Sequence, residues 1–309
     1  MHLANIIADY YKNHFSELST EKQFHFATRL SAWNQDAFCL GVLEQRTDIT
    51  HGGDMQAIKT DLKALLINPP TAKINAAKSR ERYFVKYPDL RGRMLALFRV
   101  RHLLVHYAID ARPVLLELCP LKELTDLSAA LMNDELAVKT LSTYAINYIY
   151  LVHSILFEKD TAPSKIAELA YEAGNSYDLS SPEQIQLLIY LYTHCIIGET
   201  NFYVREIARH TTTYHAMLER LEAVIQDSYD VINLDNKLEF LVCCRIMGHA
   251  TNLFEKIDRE CRASLSPEGT FVIDTHNSYK QSNKTSFNDS EHRNVLLVMS
   301  ASPYPHSSE

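Results

Sequence analysis

Glycine and proline are scarce in this 309-residue chain, eight and ten residues, which argues against a β-sandwich with its frequent tight turns. It has no Gly-rich phosphate loop and no alternation of strands with helices. A nucleotide-binding α/β fold is therefore disfavoured. The six cysteines (Cys39, Cys119, Cys195, Cys243, Cys244, Cys261) show no CxxC spacing and sit in apolar, helix-like contexts. They read as reduced core residues. The first residues lack the basic start and apolar stretch of a secretory signal, so a cytoplasmic location is expected. The longest apolar runs, Tyr144 to Phe157 and Ile185 to Gly198, are about 14 residues each, too short for a membrane span.

What the chain does have is hydrophobic residues, 46% of the total, recurring at intervals of three and four. That spacing predicts amphipathic and buried helices throughout. Expected helices cover Ala4–Phe15, Thr20–Leu43, Met55–Leu66, Ile74–Tyr87, Arg91–Ile109, Leu136–Phe157, Glu183–Ile197, His215–Ile225, Leu238–Gly248, Asn252–Arg262 and Val295–Ala301. Arg46 to Asp54, with Gly52-Gly53, reads as a loop, and so does the Asn-, Ser- and Lys-rich stretch from Asp274 to Ser286. Local signals support several starts. Ser19 or Thr20 suits an N-cap, and Ser181 precedes Pro182 at a first helical turn. Ala162-Pro163-Ser164 opens a helix that Gly174-Asn175 ends. The expected class is all-α, an antiparallel array of helix hairpins. Residues 1–110 would form an N-terminal helical region continuous with residues 111–309, in one compact domain.

The net charge of −7 is unevenly spread. From Lys73 to Arg101 nine basic residues stand against only Glu81 and Asp89. Such a segment either pairs with acids elsewhere or binds an anion, and Arg91 and Arg93 are the candidates for the second role. Nucleic acid is an unlikely partner, because the whole chain is acidic and aromatic residues in the segment are limited to Tyr83, Phe84 and Tyr87.

Two sets of side chains point to a site. Tyr144 and Tyr148 lie one helical turn apart, and together with His153, Tyr192 and His194 they are candidates for the wall of a ligand pocket. The bland alternative is that these tyrosines pack in the core with their hydroxyls satisfied. For a metal, His194, Cys244, His276 and His292 would combine thiolate and imidazole, a set suited to zinc. His102 and His106 are four apart, but His-Leu-Leu-Val-His lacks the glutamate of HExxH and reads as core or supporting histidines.

The helix pair from Ile232 to Arg262 runs into Ser266-Pro267-Glu268-Gly269-Thr270-Phe271. This resembles the turn that ends the helix hairpins of α/α-toroids, the superfamily of terpenoid cyclases, prenyltransferase β subunits and cyclase-like lantibiotic enzymes. In such a turn Pro267 stops the helix, Gly269 supplies a positive φ and Phe271 plugs back between helices. Glu291-His292-Arg293-Asn294-Val295-Leu296 and Thr193-His194 stand where inner helices of such repeats would begin and end. The chain looks closest to an uncharacterised bacterial family of this helical type. The resemblance implies a toroid-like or partly toroidal array around a central apolar cavity lined by Tyr and His, binding and possibly transforming a small organic or prenyl-like ligand. It also implies a possible zinc set of Asp235, Cys243 or Cys244, and His276 or His292. The DxDD, DDxxD and Asp-x-Cys motifs of the characterised enzymes are absent. A non-catalytic helical scaffold for a protein partner is the alternative.

Overall fold

The computed structural model describes residues 2–70, 78–157, 165–273 and 286–306. The fold is all-α. Among the described residues there are seventeen α-helices and, in place of strands, one isolated β-bridge. The helices are α1 (His2–Asn13), α2 (Thr20–Asn34), α3 (Ala37–Glu44), α4 (Thr47–Thr50), α5 (Met55–Ile67), α6 (Lys78–Lys86), α7 (Leu90–Tyr107), α8 (Arg112–Leu118) and α9 (Leu121–Met132). They continue with α10 (Glu135–Leu141), α11 (Thr143–Leu156), α12 (Ile166–Gly174), α13 (Pro182–Glu199), α14 (Thr211–Asp227), α15 (Leu234–Met247), α16 (Phe254–Ala263) and α17 (Glu291–Ser300). No described helix is long and apolar enough to cross a membrane. The six cysteines are free and buried.

Caps formed where short polar side chains precede the apolar runs. Ser19 accepts from the Lys22 amide, Ser181 from Gln184 and Asn233 from Asn236, each satisfying an otherwise orphaned N–H. Three expected elements differ. The periodic stretch Thr20–Leu43 is two helices, because Gln35 adopts a left-handed φ of 52° and Asp36 caps α3. The stretch Leu136–Phe157 breaks at Ser142, whose φ is 48°; its hydroxyl donates to the Leu187 carbonyl at 2.9 Å. Neither break carries a glycine or proline to announce it. The expected loop Arg46–Asp54 contains the short helix α4 and a 3₁₀ turn over His51–Gly53. The starts expected at Ile74 and at Ala162-Pro163-Ser164, and most of the loop from Asp274, lie outside the described residues.

Six helices form a packed series, in which α7 lies on α11, α11 on α13, α13 on α15, α15 on α17 and α17 on α2. Cross-helix contacts show that neighbours run in the same direction. Between α11 and α13, Ser142 meets Leu187, Asn147 meets His194, and the Tyr150 ring lies against Gly198. Between α15 and α17, Asp235 meets Arg293 near one end and Arg245 meets Ser300 at the other. Between α17 and α2, Glu291 meets Lys22 and His25, while Trp33 donates to Ser302. The two ends of the series touch, since Phe24 of α2 and His102 of α7 are 4.9 Å apart, edge to face. Of the remaining helices, α5 packs on α7, α9 on α11, α12 on α13, α14 on α15, α16 on α15 and α1 on α17.

The turn after α16 has the expected form. Gly269 has φ 71°, Ser266 N–H donates to Phe271 O at 2.7 Å, and Leu265 and Val272 form the antiparallel bridge. Phe271 is buried against Tyr10, Tyr11 and Phe287, so the plug seats the turn on α1.

Candidate functional site

Three histidine–carboxylate pairs come from neighbouring helices of the series. His25 Nδ1 lies 2.7 Å from Glu291 Oε1, His292 Nδ1 lies 3.2 Å from Asp235 Oδ1, and His194 Nε2 lies 3.1 Å from Glu239 Oε1. The pairs are connected. The His25 and His292 rings are 5.4 Å apart, and Glu239 feels the charges of both His194 and His292. Asn147 holds the other nitrogen of His194 at 2.9 Å. From α7, His102 lies near His25. The carboxylates are buried, yet the side chains of His25, His194 and His292 keep 28%, 17% and 31% of their surface accessible. The acids are thus more deeply buried than the imidazoles they orient.

Charge states follow from surroundings. Burial, reinforced by Arg29, pulls His25 down to about 3, so the ring is neutral at physiological pH and Nδ1–H donates to Glu291. Its Nε2 is thereby left as an acceptor. Burial and then Arg101 likewise lower His102 and His106, the latter to about 4. Glu291 is opposed by burial but is held at about 2 by His25, Lys22 and His292. Lys22 reaches it at 3.2 Å. Glu239 is also lowered, with the His194 charge overcoming its burial. Asp235 receives Arg293 at 2.7 Å, from a guanidinium with no exposed surface. Each carboxylate of the cluster is thus ionised or charge-paired.

A strained segment lies beside this cluster. Asn201, Phe202 and Tyr203 follow α13 with φ of 48°, 56° and 77°, a run of left-handed backbone that Phe and Tyr adopt only at a cost. Arg101 of α7 holds it by donating to the Asn201 and Phe202 carbonyls and to Asn201 Oδ1. The result is Tyr203 placed edge-on to Trp33 and beneath Arg29.

The sequence-derived candidates fall in different places. Of the pocket set, His194 joins the cluster. Tyr148 and Tyr192 turn away from it, donating to the carbonyls of Leu124 and Tyr171. One residue along an α-helix is a rotation of 100°, so Asn147, adjacent to Tyr148, takes the position that meets His194. Tyr144 packs edge-on to Phe84 and under Arg80, and His153 stacks on Phe157 in the last turn of α11. Of the anion pair, Arg93 is already engaged by Glu123 and Asp89 at 2.8 and 3.0 Å, and Arg91 donates to Pro70 O. The basic segment pairs with acids, as Lys86–Asp134 and Arg99–Asp61 also show.

Of the zinc set, His194 and His292 lie in the cluster and Cys244 does not. His194 and His292 are each occupied by a carboxylate, while Cys244 lies near Glu222 and Arg245, and burial raises its thiol. His276 lies outside the described residues. Among those residues no three His, Cys, Asp or Glu side chains group as metal ligands. Cys243 faces the Thr193 carbonyl. His25, Arg29, Glu239 and Glu291 were not foreseen. Glu291 stands beside His292 in the segment that resembles the start of a repeat helix, but only folding brings it to the other three. No protein-family model, curated protein or solved structure matches this chain.

Proposed function

We propose that the six-helix series is an α/α-toroid whose lumen binds a small organic ligand, recognised by the histidine–carboxylate cluster. The observation that carries this reading is the convergence of His25–Glu291, His292–Asp235 and His194–Glu239 from α2, α17, α15 and α13. Two properties make the arrangement suitable. The neutral His25 imidazole offers both a donor and an acceptor, and the buried carboxylates fix how the rings are turned. Polar groups at these positions favour a ligand with hydroxyl, amide or charged substituents over a prenyl-like chain. The same pairs could transfer protons to and from a bound substrate, because each imidazole has a partner that orients it.

The test is a thermal-shift screen of polar small molecules beside prenyl diphosphates. A polar class is expected to raise Tm saturably, and His292→Ala should weaken that ligand about tenfold, the cost of about one well-made hydrogen bond. Stabilisation by prenyl chains alone, or by a polar ligand that binds His292→Ala equally, would contradict the reading.

A further inference from the structure

Arg29 projects from α2 one turn beyond His25. Its guanidinium carbon is 5.8 Å from the centre of the Tyr203 ring, and its charge reaches His25 on its own helix and Glu239 on α15. It therefore lies among the inward-facing groups. Nη1 is buried and donates to no described group. Among the described residues no carboxylate lies within ion-pair distance of it. The contrast with its surroundings is informative. Glu291 has Lys22, Asp235 has Arg293, and Glu239 has His194. Arg101, the other inward guanidinium, spends its donors on the Asn201 and Phe202 carbonyls. The negative charges of the cluster are matched, and Arg29 is left over.

A buried guanidinium donor without an acceptor is costly unless something occupies it. Its planar fork suits two oxygens of one group. We infer that Arg29 receives an oxyanion, the carboxylate or phosphate of the ligand that enters the lumen, with Tyr203 beneath it fixing the plane of the guanidinium. This rests on the lumen reading above and narrows its ligand to an anion.

The test uses the full chain with inorganic phosphate and, separately, acetate, at ionic strength held constant with sodium chloride. At least one of the two should raise Tm saturably, by about 2–4 °C at ten times its Kd. Arg29→Gln should abolish the rise. Arg29→Lys, which keeps the charge but loses the fork, should weaken binding about tenfold and serves if the Gln variant folds poorly. Which anion acts distinguishes a phosphate from a carboxylate ligand. An unchanged rise in both variants, or none with either anion in the wild type, overturns the inference. A ligand from the polar screen that needs His292 but binds Arg29→Gln as tightly as wild type overturns it too, while leaving the lumen reading intact. If no ligand from that screen binds at all, both fail.

Discussion

Asp235→Ala is expected to lower stability by about 3–5 kcal/mol, read from the midpoint of urea unfolding. Arg293 has no exposed surface, and its Nη2 lies 2.7 Å from Asp235 Oδ2. Removing the carboxylate takes the Asp235 charge away from a buried guanidinium, and desolvation of that guanidinium is what the substitution exposes. Asp235→Asn keeps an acceptor and should cost less. Asp235→Leu combined with Arg293→Met removes both charges and should recover much of the loss, because a buried pair contributes little net stability beyond a well-packed apolar replacement. The double variant also separates stability from binding, as it deletes the orienting partner of His292 while leaving the helix junction filled.

Gly198→Ala is expected to be the second large effect, with a sign opposite to helix propensity. Alanine in a helix interior is ordinarily favoured over glycine by about 1 kcal/mol. Here an added Cβ would lie 2.4 Å from Tyr150 Cδ2 and 2.6 Å from Cγ, at the root of a ring rather than at a flexible tip. Tyr150 cannot simply move, since its hydroxyl is 2.8 Å from Tyr214, which in turn donates to buried Glu199. Net destabilisation of about 2–3 kcal/mol is expected by thermal or urea unfolding. Tyr150→Leu in the same chain should relieve part of it. If Gly198→Ala were neutral or stabilising, the close approach of α11 to α13 would be wrong.

The helical class was legible because burial on several sides writes a three-and-four repeat into the sequence. Caps at Ser19 and Ser181 and the turn around Gly269 were legible for the same kind of reason: each rests on local backbone chemistry. The breaks at Gln35 and Ser142 were not, because non-glycine residues take positive φ there only under tertiary constraint. The site was less legible still. Periodicity marks which helices are buried but not which stripe faces inward when every face is covered. Tyr148 and Tyr192 were therefore indistinguishable from inward residues, although they lie about 100° and 200° around their helices from Asn147 and His194. Arg29, Glu239 and Glu291 resemble ordinary charged helix residues until α2, α15 and α17 are packed side by side. The basic segment shows the converse, where a charge run suggested a site and the fold supplied counter-ions.

The most direct test of the central claim, that three histidine–carboxylate pairs share one ligand-binding space, is a titration followed through the imidazole ¹H–¹⁵N signals. With a stabilising polar ligand, the signals of His25, His194 and His292 should shift along a single binding curve, while His14, whose partner Glu17 is on the outer surface, stays fixed. A ligand that stabilises the protein and leaves all three signals unmoved would contradict the account.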